Sequence, residues 1–140
     1  MANEIITIVG DGGWGTALAL LASENGHNTR IWSKFGDYAA QVAVSRENVK
    51  FLPGIPIPRE ILVTSDASAA LAGATLAVVA VPTQYIRATL MSLKPHFHVA
   101  RVVSVAKGLE KGTLARPSEV VSEVVKPSML AVLAGPSHAE

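Results

Sequence analysis

Ile5-Ile6-Thr7-Ile8-Val9-Gly10-Asp11-Gly12-Gly13-Trp14-Gly15-Thr16-Ala17-Leu18-Ala19 joins an apolar run of strand length to an alanine- and leucine-rich segment through a glycine-rich turn. Gly10, Gly12 and Gly15 stand in a G-x-G-x-x-G spacing with strand before and helix after, the setting in which that spacing carries meaning. The first glycine lets the backbone turn sharply. At the second, a side chain would block the approach of a pyrophosphate, and at the third the helix packs closely on the strand. A helix beginning here aims unpaired N–H groups and the positive end of its dipole at an anion. The stretch predicts a dinucleotide site; the alternative is a glycine turn in some other βα unit.

Outward from this turn, apolar runs of strand length alternate with helix-like segments. Strands are predicted over residues 5–9, 29–32, 61–64, 76–81, 102–105 and 130–133. Several lack polar alternation, as in Leu76-Ala77-Val78-Val79-Ala80-Val81, the signature of a parallel strand covered on both faces. The expected fold class is therefore α/β, a doubly wound parallel sheet of the Rossmann type. The first helix is expected over 14–24, closing at Asn25-Gly26, and a second over 37–45. Residues 51–58, with Pro53, Pro56 and Pro58, are expected to form an extended loop. Ser65 or Asp66 can cap a short helix ending at Gly73, Thr83 can cap one over 83–93, and Pro117 suits the first turn of one over 117–125.

Composition narrows the function. The 140 residues are 49% apolar, enough for one domain with a real core. Twelve basic and eleven acidic side chains leave a net charge of +1, which offers no broad field for nucleic acid or an anionic membrane. There is no cysteine, which excludes disulfides, thiolate metal sites and a cysteine nucleophile, and suits a reducing cytosol. No basic segment precedes the first apolar run and no apolar stretch reaches the roughly 20 residues of a membrane helix, so a soluble, unexported, cytoplasmic protein is expected.

In an open parallel sheet, ligands bind outside the carboxyl ends of the strands. Three such ends carry polar or special residues: Pro82-Thr83-Gln84, Ala106-Lys107-Gly108-Leu109-Glu110 and Gly135-Pro136-Ser137-His138-Ala139-Glu140. Lys107 can hold a phosphorylated or carbonyl substrate beside a cofactor, or be an ordinary solvated loop lysine. Gly135 and Ser137 can offer a backbone N–H and a hydroxyl to the same ligand, or form a plain turn. Trp14 can lie over the dinucleotide or pack beneath the helix. At the end of the second strand, Arg30-Ile31-Trp32-Ser33-Lys34 holds no carboxylate for ribose hydroxyls, whereas Ser33 and Lys34 can meet a phosphate. This favours NADP(H), with NAD(H) as the alternative because Asp37 lies a few residues on; Lys34 as a plain surface lysine is the competing reading.

Other patterns fall short. His96 and His98 are spaced to share one face of a strand but have no further ligands nearby, so no metal is expected and they read better as surface loop histidines. Gly108-Leu109-Glu110-Lys111-Gly112-Thr113 places its lysine before the second glycine, unlike a Walker loop. Gly135-Pro136-Ser137-His138-Ala139 lacks the closing glycine of a nucleophile elbow.

In chain order, the glycine turn with Trp14-Gly15-Thr16-Ala17-Leu18-Ala19, then Phe51-Leu52-Pro53, Val81-Pro82, Ala106-Lys107-Gly108-Leu109-Glu110 and Gly135-Pro136-Ser137-His138-Ala139 resemble NAD(P)-dependent glycerol-3-phosphate dehydrogenases. The resemblance covers essentially the whole chain, but only the amino-terminal, cofactor-binding portion of an enzyme about twice this length or more. It implies NADPH contacts at Gly13, Trp14, Lys34, Lys107 and Ala139, beside the turn residues Gly10, Gly12 and Gly15 and Ser33. It implies contacts of glycerol 3-phosphate or dihydroxyacetone phosphate with Lys107, Gly135 and Ser137. The implied reaction is reversible hydride transfer between the nicotinamide ring and the middle carbon of the triose, yielding a precursor of glycerophospholipids. The family's proton-transferring lysine falls beyond Glu140, in a helical carboxyl-terminal domain, so residues 1–140 alone are expected to bind cofactor without appreciable turnover. A homodimer of the full-length enzyme is compatible with the resemblance. Asp11 departs from the alanine more often found there, and its carboxylate is expected to point away from the pyrophosphate. Two rivals stand beside this reading. One is another two-domain dehydrogenase with the same cofactor domain. The other is a stand-alone dinucleotide-sensing module, disfavoured by the stop at Ala139-Glu140 without a closing helix.

Overall fold

Alternation along the first strand decides where the core goes. Ile6 and Ile8 project to one face of the sheet while Thr7 and Val9 project to the other, and all four are buried, so each face needs its own layer of helices. The computed structural model describes residues 3–135 and supplies both layers. In chain order the elements are β1 (Ile5–Val9), α1 (Gly13–Glu24), β2 (Asn28–Trp32), α2 (Gly36–Ser45), β3 (Glu47–Asn48), β4 (Leu52–Pro56) and β5 (Leu62–Thr64). There follow α3 (Ala67–Leu71), β6 (Leu76–Val79), α4 (Thr83–Leu93), a 3-10 turn (Lys94–His96), β7 (Arg101–Ser104), α5 (Pro117–Val125) and β8 (Met129–Val132).

Six strands form one sheet in the order β5-β2-β1-β6-β7-β8, every pair parallel, as expected for a doubly wound fold. On one face Ala19 of α1 and Tyr38, Ala39 and Val42 of α2 pack with Ile8, Ile31 and Val63. On the other, Ile86 and Leu90 of α4 and Val120 and Val121 of α5 pack with Val9, Val79 and Val102. The order reverses at β1, whose last residue Val9 lies between Trp32 of β2 and Val79 of β6. A crevice for a ligand belongs at that switch point.

Element ends follow local chemistry. Gly26 closes α1 at φ +84 and Gly73 follows α3 at φ +66, the left-handed region where glycine carries no Cβ penalty. Asp66, rather than Ser65, caps α3, its carboxylate accepting from the N–H groups of Ser68 and Ala69. Pro117 occupies the first turn of α5 as expected.

Two expectations need correction. Residues 51–58 are not simply an extended loop, because β4 pairs antiparallel with β3 in a small separate hairpin. Prolines fit there because a two-stranded ribbon leaves one edge of each strand without ladder partners. Thr83 is not the cap of α4: Pro82 holds that position, and the Thr83 hydroxyl donates instead to the Lys107 carbonyl. His96 and His98 are exposed as expected of surface loop histidines, the first ending the 3-10 turn and the second lying in the loop before β7.

Candidate functional site

The glycine turn performs three separate tasks. Gly10 has φ +117, and a Cβ there would lie 2.6 Å from the Ala80 carbonyl oxygen. A Cβ on Gly15 would come within 2.8 Å of the Gly10 carbonyl oxygen and 3.2 Å of the Ala80 and Ile8 side chains, so α1 sits hard against β1 and β6. Gly12 differs: it is the N-cap residue of α1, in extended conformation, and a Cβ on it would meet nothing within 4 Å. The space beyond Gly12 is therefore open for a ligand group, at the end of a twelve-residue helix whose first N–H groups have no acceptor within the helix. Gly13 adds a fourth constraint that the motif does not announce, because its Cβ would stand 2.6 Å from the Phe51 carbonyl oxygen of the hairpin segment.

Two hollows flank the turn. One, about 360 Å³, is bounded by Gly10, Asp11 and Gly12 with Trp32, Lys34 and Phe35 from the end of β2. The other, about 330 Å³, is bounded by Gly12, Gly13 and Trp14 with Pro82, Ala106 and Lys107. Lys34 and Lys107 thus stand on opposite sides of one helix terminus, and Gly12 belongs to both walls. Trp14 is 58% exposed, so packing beneath the helix is not its role. Ser33 is fully buried, with its hydroxyl donating to Asp11 Oδ2 at 2.7 Å, so what it presents to the first hollow is the Asp11 carboxylate. Gly135 lies three residues past β8 with open space at its Cβ position. Ser137 and Ala139 lie outside the described residues.

Buried polar contacts that were not foreseen fix both hollows. Asn48 of β3 is buried and donates from Nδ2 to the Asp11 carbonyl at 2.7 Å and to Thr16 Oγ1 at 2.9 Å, while its Oδ1 accepts from Tyr38 at 2.6 Å. This one amide holds the turn, the first helix and the hairpin together. On the other side, a single face of α4 grips the loop after β7. Besides Thr83, Gln84 donates to the Leu109 carbonyl and accepts from Lys111 N–H. Arg87 holds the Glu110 carboxylate in a two-pronged pair at 3.0 and 2.9 Å and reaches Glu123 at 2.8 Å. The Arg87 guanidinium, followed by the Thr113 hydroxyl, holds the Glu110 carboxyl below the usual carboxylate range. A lowered pKa means that this clamp is whole above that range and is lost only as pH falls through the lowered value. The spacing of Thr83, Gln84 and Arg87 at i, i+1 and i+4 is a visible helix face; their partners some 24 residues on carry no such signal.

Among the described residues, no group of three or more histidine or acidic side chains is placed to hold a metal, and no helix is long and apolar enough to cross a membrane.

With this geometry in view, known proteins bear on the chain directly. Residues 5–140 match the model of the NAD-dependent glycerol-3-phosphate dehydrogenase N-terminus. A glycerol-3-phosphate dehydrogenase [NAD(P)+] of Geobacillus thermodenitrificans is 42% identical over 98% of this chain and 41% of its own length. That of Prosthecochloris aestuarii is 44% identical over 97% and 42%. The crystal structure of the Coxiella burnetii glycerol-3-phosphate dehydrogenase superposes with a TM-score of 0.87 at 32% identity, covering 97% of this chain and 42% of that one. The chain therefore spans about two fifths of the length of these relatives. Sequence, fold and the glycine turn agree that it belongs to the NAD-dependent glycerol-3-phosphate dehydrogenase family and corresponds to its N-terminal part.

Proposed function

We propose that residues 1–140 are the NAD(P)-binding domain of a longer glycerol-3-phosphate dehydrogenase, and that the domain takes NADP(H) in preference to NAD(H). One observation carries the reading: Gly12 leaves open space at the amino end of α1, between hollows that contain Lys34 on one side and Lys107 on the other. The residues fit a dinucleotide. The N–H groups of Gly13, Trp14 and Gly15 suit the linked phosphates, Gly10 and Gly15 keep the helix close enough to the strands, and Lys34 suits a ribose 2′-phosphate. The bound nicotinamide supplies the hydride chemistry.

The chain's own part is orientation. Lys107 directs its ammonium at the oxygen on the middle carbon of dihydroxyacetone phosphate or glycerol 3-phosphate, polarising the carbonyl in one direction and seating the alcohol in the other. The α4 clamp positions the Lys107 loop against the glycine turn; by the family resemblance, Gly135 and Ser137 add contacts to the triose and Ala139 a contact to the coenzyme. Proton transfer falls to the part of the enzyme beyond residue 140, so this domain alone binds without turning over. The enzyme works in the cytoplasm on small molecules, with neither nucleic acid nor membrane as partner, and as a homodimer at full length.

Calorimetric titration of the chain with NADPH and NADH tests the cofactor half. Both are expected to bind, NADPH the more tightly, and Lys34→Glu is expected to shift the ratio of affinities toward NADH by about tenfold or more, since it exchanges attraction for repulsion at the 2′-phosphate. Equal, undetectable binding of both would reject the proposal.

A further inference from the structure

The end of β2 carries no carboxylate of its own, yet a carboxylate stands there. It comes from the neighbouring turn. Asp11 Oδ2 accepts from the hydroxyl of Ser33, the residue directly after β2, at 2.7 Å. Ser33 cannot wander: it is fully buried, its N–H donates to the Thr64 carbonyl at 2.9 Å, and its Oγ accepts from the Phe35 N–H at 3.3 Å. Asp11 is held at its other end too, where its carbonyl accepts from Asn48. The side chain is only partly buried and bounds the same hollow as Lys34. A carboxylate has about four acceptor positions and, among the described residues, this one accepts a single hydrogen bond, from Ser33, so it can also accept from hydroxyls in the hollow.

In a doubly wound domain, a carboxylate at this place accepts from the adenosine ribose hydroxyls and opposes a 2′-phosphate, whereas a cation favours the phosphate. This hollow holds one of each. We infer that Asp11, positioned through Ser33, is a specificity-determining residue that accepts from the ribose 2′-hydroxyl and restrains the preference for NADP(H) that Lys34 confers. The inference rests on the proposed cofactor function and assigns its two-coenzyme tolerance to a named pair of opposite charges.

The test uses the whole chain, titrated by calorimetry with NADPH and with NADH at low and high salt. Asp11→Asn keeps the shape and the acceptor for Ser33 while removing the charge. It is expected to raise the ratio of NADPH to NADH affinity by about tenfold, the size of one screened charge interaction, and the gain is expected to shrink in high salt. Asp11→Ala, the second variant, is expected to move the ratio the same way, with NADH binding weakened outright. A ratio that stays put in both variants while both coenzymes still bind would overturn the role of Asp11 and leave the cofactor function standing. Failure of the unsubstituted chain to bind either coenzyme would overturn both.

Discussion

Gly12→Val is expected to leave the domain folded and to abolish dinucleotide binding, while Gly10→Ala, the smaller change two residues earlier, is expected to unfold it. The two glycines share a motif but face different surroundings. A Cβ on Gly12 meets nothing, and its φ of −66 and ψ of 175 suit any residue. The stability cost is that of a changed helix cap, about 1 kcal/mol or less, and the melting temperature should stay within about 5 °C of the unsubstituted chain. The valine branches would instead occupy the space the pyrophosphate needs, and calorimetry should show no heat of binding. At Gly10 the backbone sits at φ +117 and the added carbon would stand 2.6 Å from a backbone oxygen and 2.9 Å from its carbonyl carbon. Backbone strain of about 1–3 kcal/mol then adds to a clash that only displacement of Ala80 and Val81, the residues after β6, can relieve, against a total stability of about 5–15 kcal/mol for a domain. Thermal melts followed by circular dichroism separate the outcomes. A Gly10→Ala chain that melts like its parent, or a Gly12→Val chain that still binds NADPH, would contradict these assignments.

Lys107→Ala in the full-length enzyme is expected to cut kcat for dihydroxyacetone phosphate reduction by about 10²–10³, the loss usual when one donor to a developing oxyanion is removed. The dissociation constant for NADPH should change far less, because Lys34 lies in the other hollow and the N–H groups that open α1 are untouched by the substitution. Stopped-flow turnover and coenzyme titration on the same preparation distinguish the two effects. Unchanged turnover would remove Lys107 from the mechanism.

The sheet was legible in the sequence because buried parallel strands announce themselves as unbroken apolar runs, and the six runs became six strands. Their ends moved by a residue or two for local reasons. The run 76–81 stops pairing as β6 at Val79, since Ala80 and Val81 leave the ladder to form the wall beside Gly10. The glycine turn was legible for the same kind of reason: backbone conformation and close contact demand glycine at Gly10, close packing demands it at Gly15, and at Gly12 the demand comes from the proposed pyrophosphate alone. What escaped was long-range polar pairing. Asn48 joins residues 32 and 37 positions away, and Arg87 finds Glu110 and Glu123 at separations of 23 and 36. No period or spacing encodes such partners. Asp11 shows the limit best. The sequence predicts only that its carboxylate points away from the pyrophosphate, and the fold reveals that it points to the tip of β2. The hairpin escaped because its prolines argue against strand in a central sheet but not in an isolated ribbon.

The most direct test is a crystal structure of the chain grown with NADPH. The expected result is density for the linked phosphates above Gly12, with their oxygens within hydrogen-bond distance of the backbone N–H groups that open α1, the 2′-phosphate toward Lys34 and the nicotinamide toward Lys107. Coenzyme bound anywhere else, or a crevice left empty at saturating NADPH, would contradict the assignment of this helix end as the coenzyme site.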